Sequence, residues 1–206
     1  MNLKLKEHVN NIINEHYSLN DKGHSIEHVN YVIRRSLEFA KEIDNINLDM
    51  VYVIAAYHDV GHHINAKEHE FVSSKMLLDD SVLKNYFSNE EIEIMSEAVF
   101  DHRSSMDGEP RSIYGKIVSS ADRNTDVEVT LKRCFSYNRK HYPELSLDEC
   151  IEKCRKFLLD KFGIGGYARN KMYFEDNEYD KYLEDITNLA TNKELFTMKI
   201  KDYNNI

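Results

Sequence analysis

The chain has 206 residues, and its 27 Lys and Arg against 36 Asp and Glu give a formal net charge of −9. This length suits one domain with its own buried core, whereas the acidic balance disfavours binding of long nucleic acids, which requires a basic face. No apolar run approaches the roughly 18 residues of a membrane span, and the three cysteines form no Cys-x-x-Cys pair, so we expect a cytoplasmic protein with reduced thiols and no membrane segment.

Scarce turn residues and apolar periodicity predict an all-α fold. Only seven Gly and two Pro are present, too few for the many tight turns of a β-sandwich or barrel. Helical spacing of apolar residues predicts helices over 3–18 and 25–43, with a turn at 20–23 between them and Ser25 as the N-cap of the second. A third helix over 48–58 is apolar nearly all round, which is typical of a helix in the middle of a core.

The remaining elements are also predicted to be helical. Gly61 interrupts the pattern, and a loop runs to about residue 66. Capping boxes at 88–91 and 146–149 mark two helix starts, and the Gly-rich segment 163–166 is interpreted as a turn because it lacks the Gly-Lys-Ser/Thr ending of a phosphate-binding loop. The predicted helices are 68–79, 89–101, 113–129, one from Ser146 to about Gly163, and 177–192, followed by a short tail.

Histidine is concentrated in the middle of the chain, where seven of the ten fall between His24 and His102. His58 and Asp59 stand at the end of the apolar third helix, just before Gly61. Burying two ionisable side chains there costs several kcal/mol unless they are paired or bound to a metal. A hydrogen-bonded His–Asp pair that holds the helix end is the alternative explanation.

Two other polar positions also interrupt apolar helices. His28 lies four residues after His24 and therefore on the same helix face, in register with apolar Val32. Asp122 follows the apolar stretch 117–121. Imidazoles and carboxylates without thiolates suit Mn²⁺, Fe²⁺, Co²⁺, Ni²⁺ or Zn²⁺, with Mg²⁺ as a further candidate, and such a site leaves room for water.

Taken in order, His28, His58-Asp59 and Asp122 resemble the H…HD…D signature of the HD-domain superfamily of metal-dependent phosphohydrolases. The segment 58–62 (HDVGH) resembles the HD-[IV]-G box of that family. The segment 23–28 (GHSIEH) resembles a longer form of its first motif, and 120–123 (SADR) resembles the box that closes its core. The resemblance covers about residues 20–130.

The resemblance implies an all-α core of about five helices over 20–130, with a C-terminal helical extension over 131–206 and a single domain over 1–206. His28, His58, Asp59 and Asp122 would be the metal ligands. His69 and His102 stand where some members hold a second metal, so they are candidates for a second metal or for substrate contact. We expect one firmly held metal, with exposed polar positions as the alternative for these two histidines.

From these implied ligands we also infer roles for the residues around them. A divalent ion lowers the pKa of its bound water from about 15.7 towards 7, and Asp59 would orient that water as well as ligate. His62 would protonate the leaving oxygen. The candidates for contact with the substrate phosphate are His24, Arg103, Lys116 and Arg123.

The favoured function is hydrolysis of a phosphate ester or pyrophosphate bond in a small phosphorylated substrate, with a nucleotide preferred. An HD-fold di-iron oxygenase is one alternative and requires both His69 and His102 to bind metal. A non-catalytic metal- or nucleotide-binding sensor is another. A homodimer is compatible with the acidic helical surface but is not required by it.

Overall fold

The computed structural model describes residues 2–169 and 171–206. Within these residues the regular structure consists of ten α-helices and two short 3₁₀ helices, with no strand, so the all-α class is confirmed. The α-helices are α1 (Leu3–Tyr17), α2 (Ile26–Ala40), α3 (Leu48–Tyr57), α4 (His69–Asp79), α5 (Asn89–Phe100), α6 (Ile113–Ala121), α7 (Val127–His141), α8 (Leu147–Phe162), α9 (Asn177–Thr191) and α10 (Lys193–Asn204). None of these helices is both long enough and apolar enough to cross a membrane.

The chain divides into two compact units. The first contains the described residues up to Asp122 together with Met172–Phe174, and it holds α1 to α6. The second contains the described residues from Arg123 to Lys171 and Glu175–Ile206, and it holds α7 to α10. The single domain over 1–206 stays a prediction.

Helix α3 is the centre of the first unit. Every residue of Met50–Tyr57 is buried, and α1, α2, α4, α5 and α6 all pack against this helix. The prediction of a core helix is therefore confirmed. His58 and Asp59 follow the last turn of α3. Because α3 lies inside the unit, both residues are buried.

The single helix predicted over 113–129 is wrong, since α6 ends at Ala121 and α7 begins at Val127. Asn124 Oδ1 accepts a hydrogen bond from Asp126 N, and the Asp126 side chain accepts one from Val129 N. Asn and Asp side chains that bond to nearby backbone compete with helical hydrogen bonds, which explains the break.

The short tail predicted after residue 192 is also wrong, because Lys193–Asn204 form α10. Asn192 caps this helix by accepting a hydrogen bond from Leu195 N, and Phe196 and Ile200 are buried. Within the second unit α10 packs against α7, α8 and α9. The three free cysteines, Cys134, Cys150 and Cys154, are buried in the same unit.

Candidate metal centre

Six ionisable side chains come together where five helices of the first unit begin or end. His28 lies in the first turn of α2, and His69 is the first residue of α4. The other four directly follow the last turn of a helix: His58 and Asp59 after α3, His102 after α5 and Asp122 after α6. We call these six residues the centre: His28, His58, Asp59, His69, His102 and Asp122.

The four ligands predicted from the sequence form one network of contacts, in which Asp122 contacts His28. His28 Nε2 is 3.1 Å from Asp122 Oδ1, 3.2 Å from His58 Nε2 and 3.6 Å from Asp59 Oδ2. His58 Nε2 is 3.2 Å from Asp59 Oδ2. We call His28, His58, Asp59 and Asp122 the first set.

His69 and His102 occupy the other side of the Asp59 carboxylate. Asp59 Oδ1 is 3.2 Å from His69 Nε2 and 3.6 Å from His102 Nε2, and the two Nε2 atoms are 3.2 Å apart. Both residues are buried, which excludes the alternative that they are exposed polar positions. Asp59, His69 and His102 form the second set, so Asp59 contributes one oxygen to each set.

Backbone carbonyls orient three of the rings. His58 Nδ1 lies 2.7 Å from Ala55 O, His102 Nδ1 lies 2.6 Å from Val99 O, and His69 Nδ1 lies 3.1 Å from Ala66 O. Because a carbonyl oxygen only accepts, each Nδ1 must carry the hydrogen, and a neutral ring then presents the lone pair of Nε2 to the centre.

The donor atoms of the centre fit a divalent cation. Nε2 atoms face each other at 3.2 Å in both sets, and the buried Asp59 Oδ1 has no hydrogen-bond partner among the described residues. In each of the groups His28–His58–Asp59 and Asp59–His69–His102, the ligand atoms lie within 4.8 Å of one another. A cation shared by these nitrogen and oxygen donors would satisfy them together.

The charges of the centre shift the pKa values of its members. Burial lowers the pKa of His28, but hydrogen bonds to Asp122 and Asp59 outweigh it and raise the pKa to about 9. Burial, His102 and Arg103 lower the pKa of His69 to about 4. Burial opposes ionisation of Asp59 and Asp122, yet the histidines beside them hold both carboxyl pKa values below their usual range. The carboxylates are therefore ionised at neutral pH.

His24 and His62 lie beside the centre. Their rings stack with centroids 3.7 Å apart and an interplanar angle of 23°. Asp21 Oδ1 is 2.8 Å from His24 Nδ1, and the His62 ring centroid is 5.3 Å from that of His69. We call His24 and His62 the histidine pair.

Two of the predicted phosphate-binding cations are held by carboxylates. Arg103 Nη1 donates to Glu70 at 2.9 Å and 3.0 Å and to Lys67 O at 2.8 Å. Lys116 Nζ donates to Glu109 at 2.8 Å. Their partners compete with a phosphate for the same donors.

Arg123 belongs to the second unit, where its Nη2 donates to Lys171 O at 3.3 Å. Its side chain is buried. The proposed contact between Arg123 and substrate stays a prediction.

Two residues near the centre were not predicted as functional from the sequence: Tyr17, which falls in the helix predicted over 3–18, and Asn20, which falls in the turn predicted at 20–23. Tyr17 Oη accepts a hydrogen bond from Asp59 N at 3.2 Å. Asn20 Nδ2 donates to Asp59 O at 3.0 Å. No local motif marks either residue, because each contact spans about forty positions of the chain.

Comparison with known proteins places this arrangement in a family. Residues 25–125 match the family model of the HD domain. The fold is similar to a crystal structure described as a predicted HD superfamily hydrolase from an uncultured Thermotogales bacterium. The TM-score is 0.51 and the sequence identity is 23%, and the match covers 78% of this chain and 94% of that chain. No curated protein matches the chain by sequence. The match to residues 25–125 includes all six residues of the centre, so the chain carries an HD domain of the HD-domain superfamily.

Proposed function

We propose that the protein is a metal-dependent phosphohydrolase that cleaves a phosphate ester or pyrophosphate bond in a small substrate, with a nucleotide as the favoured class. The observation that carries this proposal is the Asp59 carboxylate, which is 3% exposed and lies between two sets of histidine nitrogens. The match of residues 25–125 to the HD domain supports the same reaction class.

The first set would hold one divalent cation through His28, His58, Asp59 and Asp122. The second set offers Asp59, His69 and His102 for another. A divalent cation at such donors lowers the pKa of a bound water and neutralises charge on a phosphoryl oxygen. The buried Asp59 carboxylate is ionised at neutral pH and would orient the cation bound at either of its oxygens.

The histidine pair is the best-placed group to contact the phosphate. Arg103 and Lys116 are engaged by Glu70 and Glu109. The His24 and His62 rings stack beside the second set, with His24 Nδ1 held by Asp21 Oδ1 at 2.8 Å. Imidazole N–H groups donate hydrogen bonds to phosphate oxygens, and a protonated imidazole can give a proton to a leaving oxygen. We assign the leaving-group proton to His62 and phosphate contact to His24.

The substrate class follows from charge. The chain carries a net charge of −9, and a long nucleic acid would require a continuous basic face. A small phosphorylated compound needs only the few local donors around the centre. A nucleotide meets this condition.

The test is metal analysis of the purified protein, followed by a screen of nucleotides and phosphomonoesters with Mn²⁺ or Co²⁺. We expect bound metal and phosphate release from at least one compound, with both lost in Asp59→Ala. Asp79→Ala removes an exposed carboxylate at the end of α4 and is expected to leave both unchanged. Absence of phosphate release from every compound, with unchanged metal content in Asp59→Ala, would contradict the proposal.

One observation favours a second candidate, the di-iron oxygenase. That function requires His69 and His102 to bind metal, and both lie against Asp59. Two iron ions per chain together with oxygen-dependent turnover, and no phosphate release, would establish it over the phosphohydrolase.

A further inference from the structure

The peptide groups of Asp59 are held by side chains from outside the matched HD domain. Tyr17 Oη accepts from Asp59 N at 3.2 Å and donates to Ala56 O at 3.0 Å. Asn20 Nδ2 donates to Asp59 O at 3.0 Å. Both residues precede residue 25, where the family match begins.

Asn20 also closes the turn that follows Asp59. Its Oδ1 accepts from His63 N at 2.8 Å, so one amide group bridges the two ends of the turn that contains Gly61 and His62. The amide orientation is determined by its partners, because Asp59 O can only accept and His63 N can only donate.

Tyr17 performs the corresponding role at the last turn of α3. In this turn the carbonyl of Ala55 already holds the His58 ring, since Ala55 O lies 2.7 Å from His58 Nδ1. The Tyr17 hydroxyl lies between Ala56 O and Asp59 N and is 2% exposed as a residue. It therefore fixes the end of α3 at the point where His58 and Asp59 leave the helix.

We propose that Tyr17 and Asn20 are positioning residues for Asp59. Helix α1 and the turn after it would then be required for the geometry of the metal centre. The proposal rests on the metal centre of the proposed function. Neither side chain is placed to bind the cation. Both fix the backbone from which the Asp59 carboxylate projects between the two sets, and Tyr17 Oη also lies 3.4 Å from His58 Nδ1.

The test compares Tyr17→Phe and Asn20→Ala with two matched controls. Tyr52 Oη donates to Asn10 Oδ1 at 3.0 Å, so Tyr52→Phe and Asn10→Ala remove a hydroxyl and an amide that link the same helices, α1 and α3, away from Asp59. For each variant we would measure the Mn²⁺ dissociation constant by calorimetry, the visible spectrum of the Co²⁺-saturated protein and the thermal midpoint in EDTA.

Loss of a residue that supports a metal ligand typically weakens metal affinity about 10–100-fold. We expect a loss of this size in Tyr17→Phe and Asn20→Ala, together with an altered Co²⁺ spectrum at saturation. The two controls are expected to keep the wild-type affinity and spectrum. The spectrum is decisive, because lower stability alone does not change the coordination of a cation once the site is saturated.

Wild-type affinity and spectrum in Tyr17→Phe and Asn20→Ala, or equal losses in the controls, would overturn the positioning role. A wild-type protein that binds Mn²⁺ but releases phosphate from no compound would overturn the proposed function alone. A wild-type protein that binds neither Mn²⁺ nor Co²⁺ would overturn both.

Discussion

His28 differs from the other histidines of the centre because two carboxylates face its Nε2. Asp122 Oδ1 is 3.1 Å away and Asp59 Oδ2 is 3.6 Å away. Without a metal, a proton on His28 satisfies these oxygens, and this is why its pKa rises to about 9 despite burial. A cation at the first set would have to displace that proton, so metal affinity should increase with pH up to about 9.

This raised pKa predicts how the stability of the metal-free protein depends on pH. The folded state holds a proton on His28 to about pH 9, whereas the unfolded chain releases it near 6.5, so stability falls as pH rises through this window. The loss in the free energy of unfolding is on the order of 3 kcal/mol. Urea unfolding in EDTA at pH 6.5 and 9 measures it, and His28→Gln is the control in which the decline should shrink. An equal decline in wild type and His28→Gln would contradict the assignment.

Gly61 is required because the turn after Asp59 passes directly over α4. A Cβ at this position would lie 2.6 Å from Val72 Cγ1 and 2.8 Å from Ser73 N. We predict that Gly61→Ala lowers the free energy of unfolding by about 1–3 kcal/mol, as overpacking typically does. Adding Val72→Ala should not restore it, because the clash with the Ser73 backbone remains. Urea titration of the three proteins checks this, and wild-type stability of Gly61→Ala would refute it.

At the scale of helices, the centre is assembled from helix ends. The third helix could be assigned to the core from its uniform apolar character, and the HD-type boxes placed His28, His58-Asp59 and Asp122 in order. The break after Asp122 was not predicted, because apolar periodicity does not register that Asn124 and Asp126 bond to their own backbone. This break leaves Asp122 at the end of α6, φ −77° and ψ 17°, rather than inside a longer helix.

The segment between α5 and α6 is held beside His102 by an ion pair. The buried Asp101 carboxylate accepts from Arg111 Nη2 and from Arg111 N, both at 2.8 Å. Removing the Arg111 guanidinium leaves the buried Asp101 carboxylate with only the Arg111 backbone N–H as a donor. Hydrogen bonds to charged groups contribute about 1.5–3 kcal/mol to stability. We predict a loss of this size in the free energy of unfolding of Arg111→Ala. Arg34→Ala breaks an exposed pair with Glu38 and should cost less than about 1 kcal/mol; equal effects would contradict the prediction.

At the scale of the molecule, the sequence identified the four members of the first set but not their surroundings. The contacts of Tyr17 and Asn20 with Asp59, and of Arg103 with Glu70, join positions more than thirty residues apart. Such pairs depend on how α1, α3, α4 and the end of α5 pack, and helical periodicity within one segment carries no information about them. For the same reason Arg103 was predicted to bind phosphate from its position alone, without regard to the carboxylate that holds it.

The central claim is that Asp59 shares a divalent cation with the histidines and with Asp122. Anomalous diffraction from crystals grown with Mn²⁺ tests it most directly. We predict a Mn²⁺ peak within about 2.0–2.3 Å of donor atoms of His28, His58, Asp59 and Asp122, the range usual for metal–nitrogen and metal–oxygen bonds, and a second peak beside His69 and His102 at higher Mn²⁺ concentration. Absence of any Mn²⁺ peak beside Asp59 in crystals of protein that hydrolyses its substrate would contradict the claim.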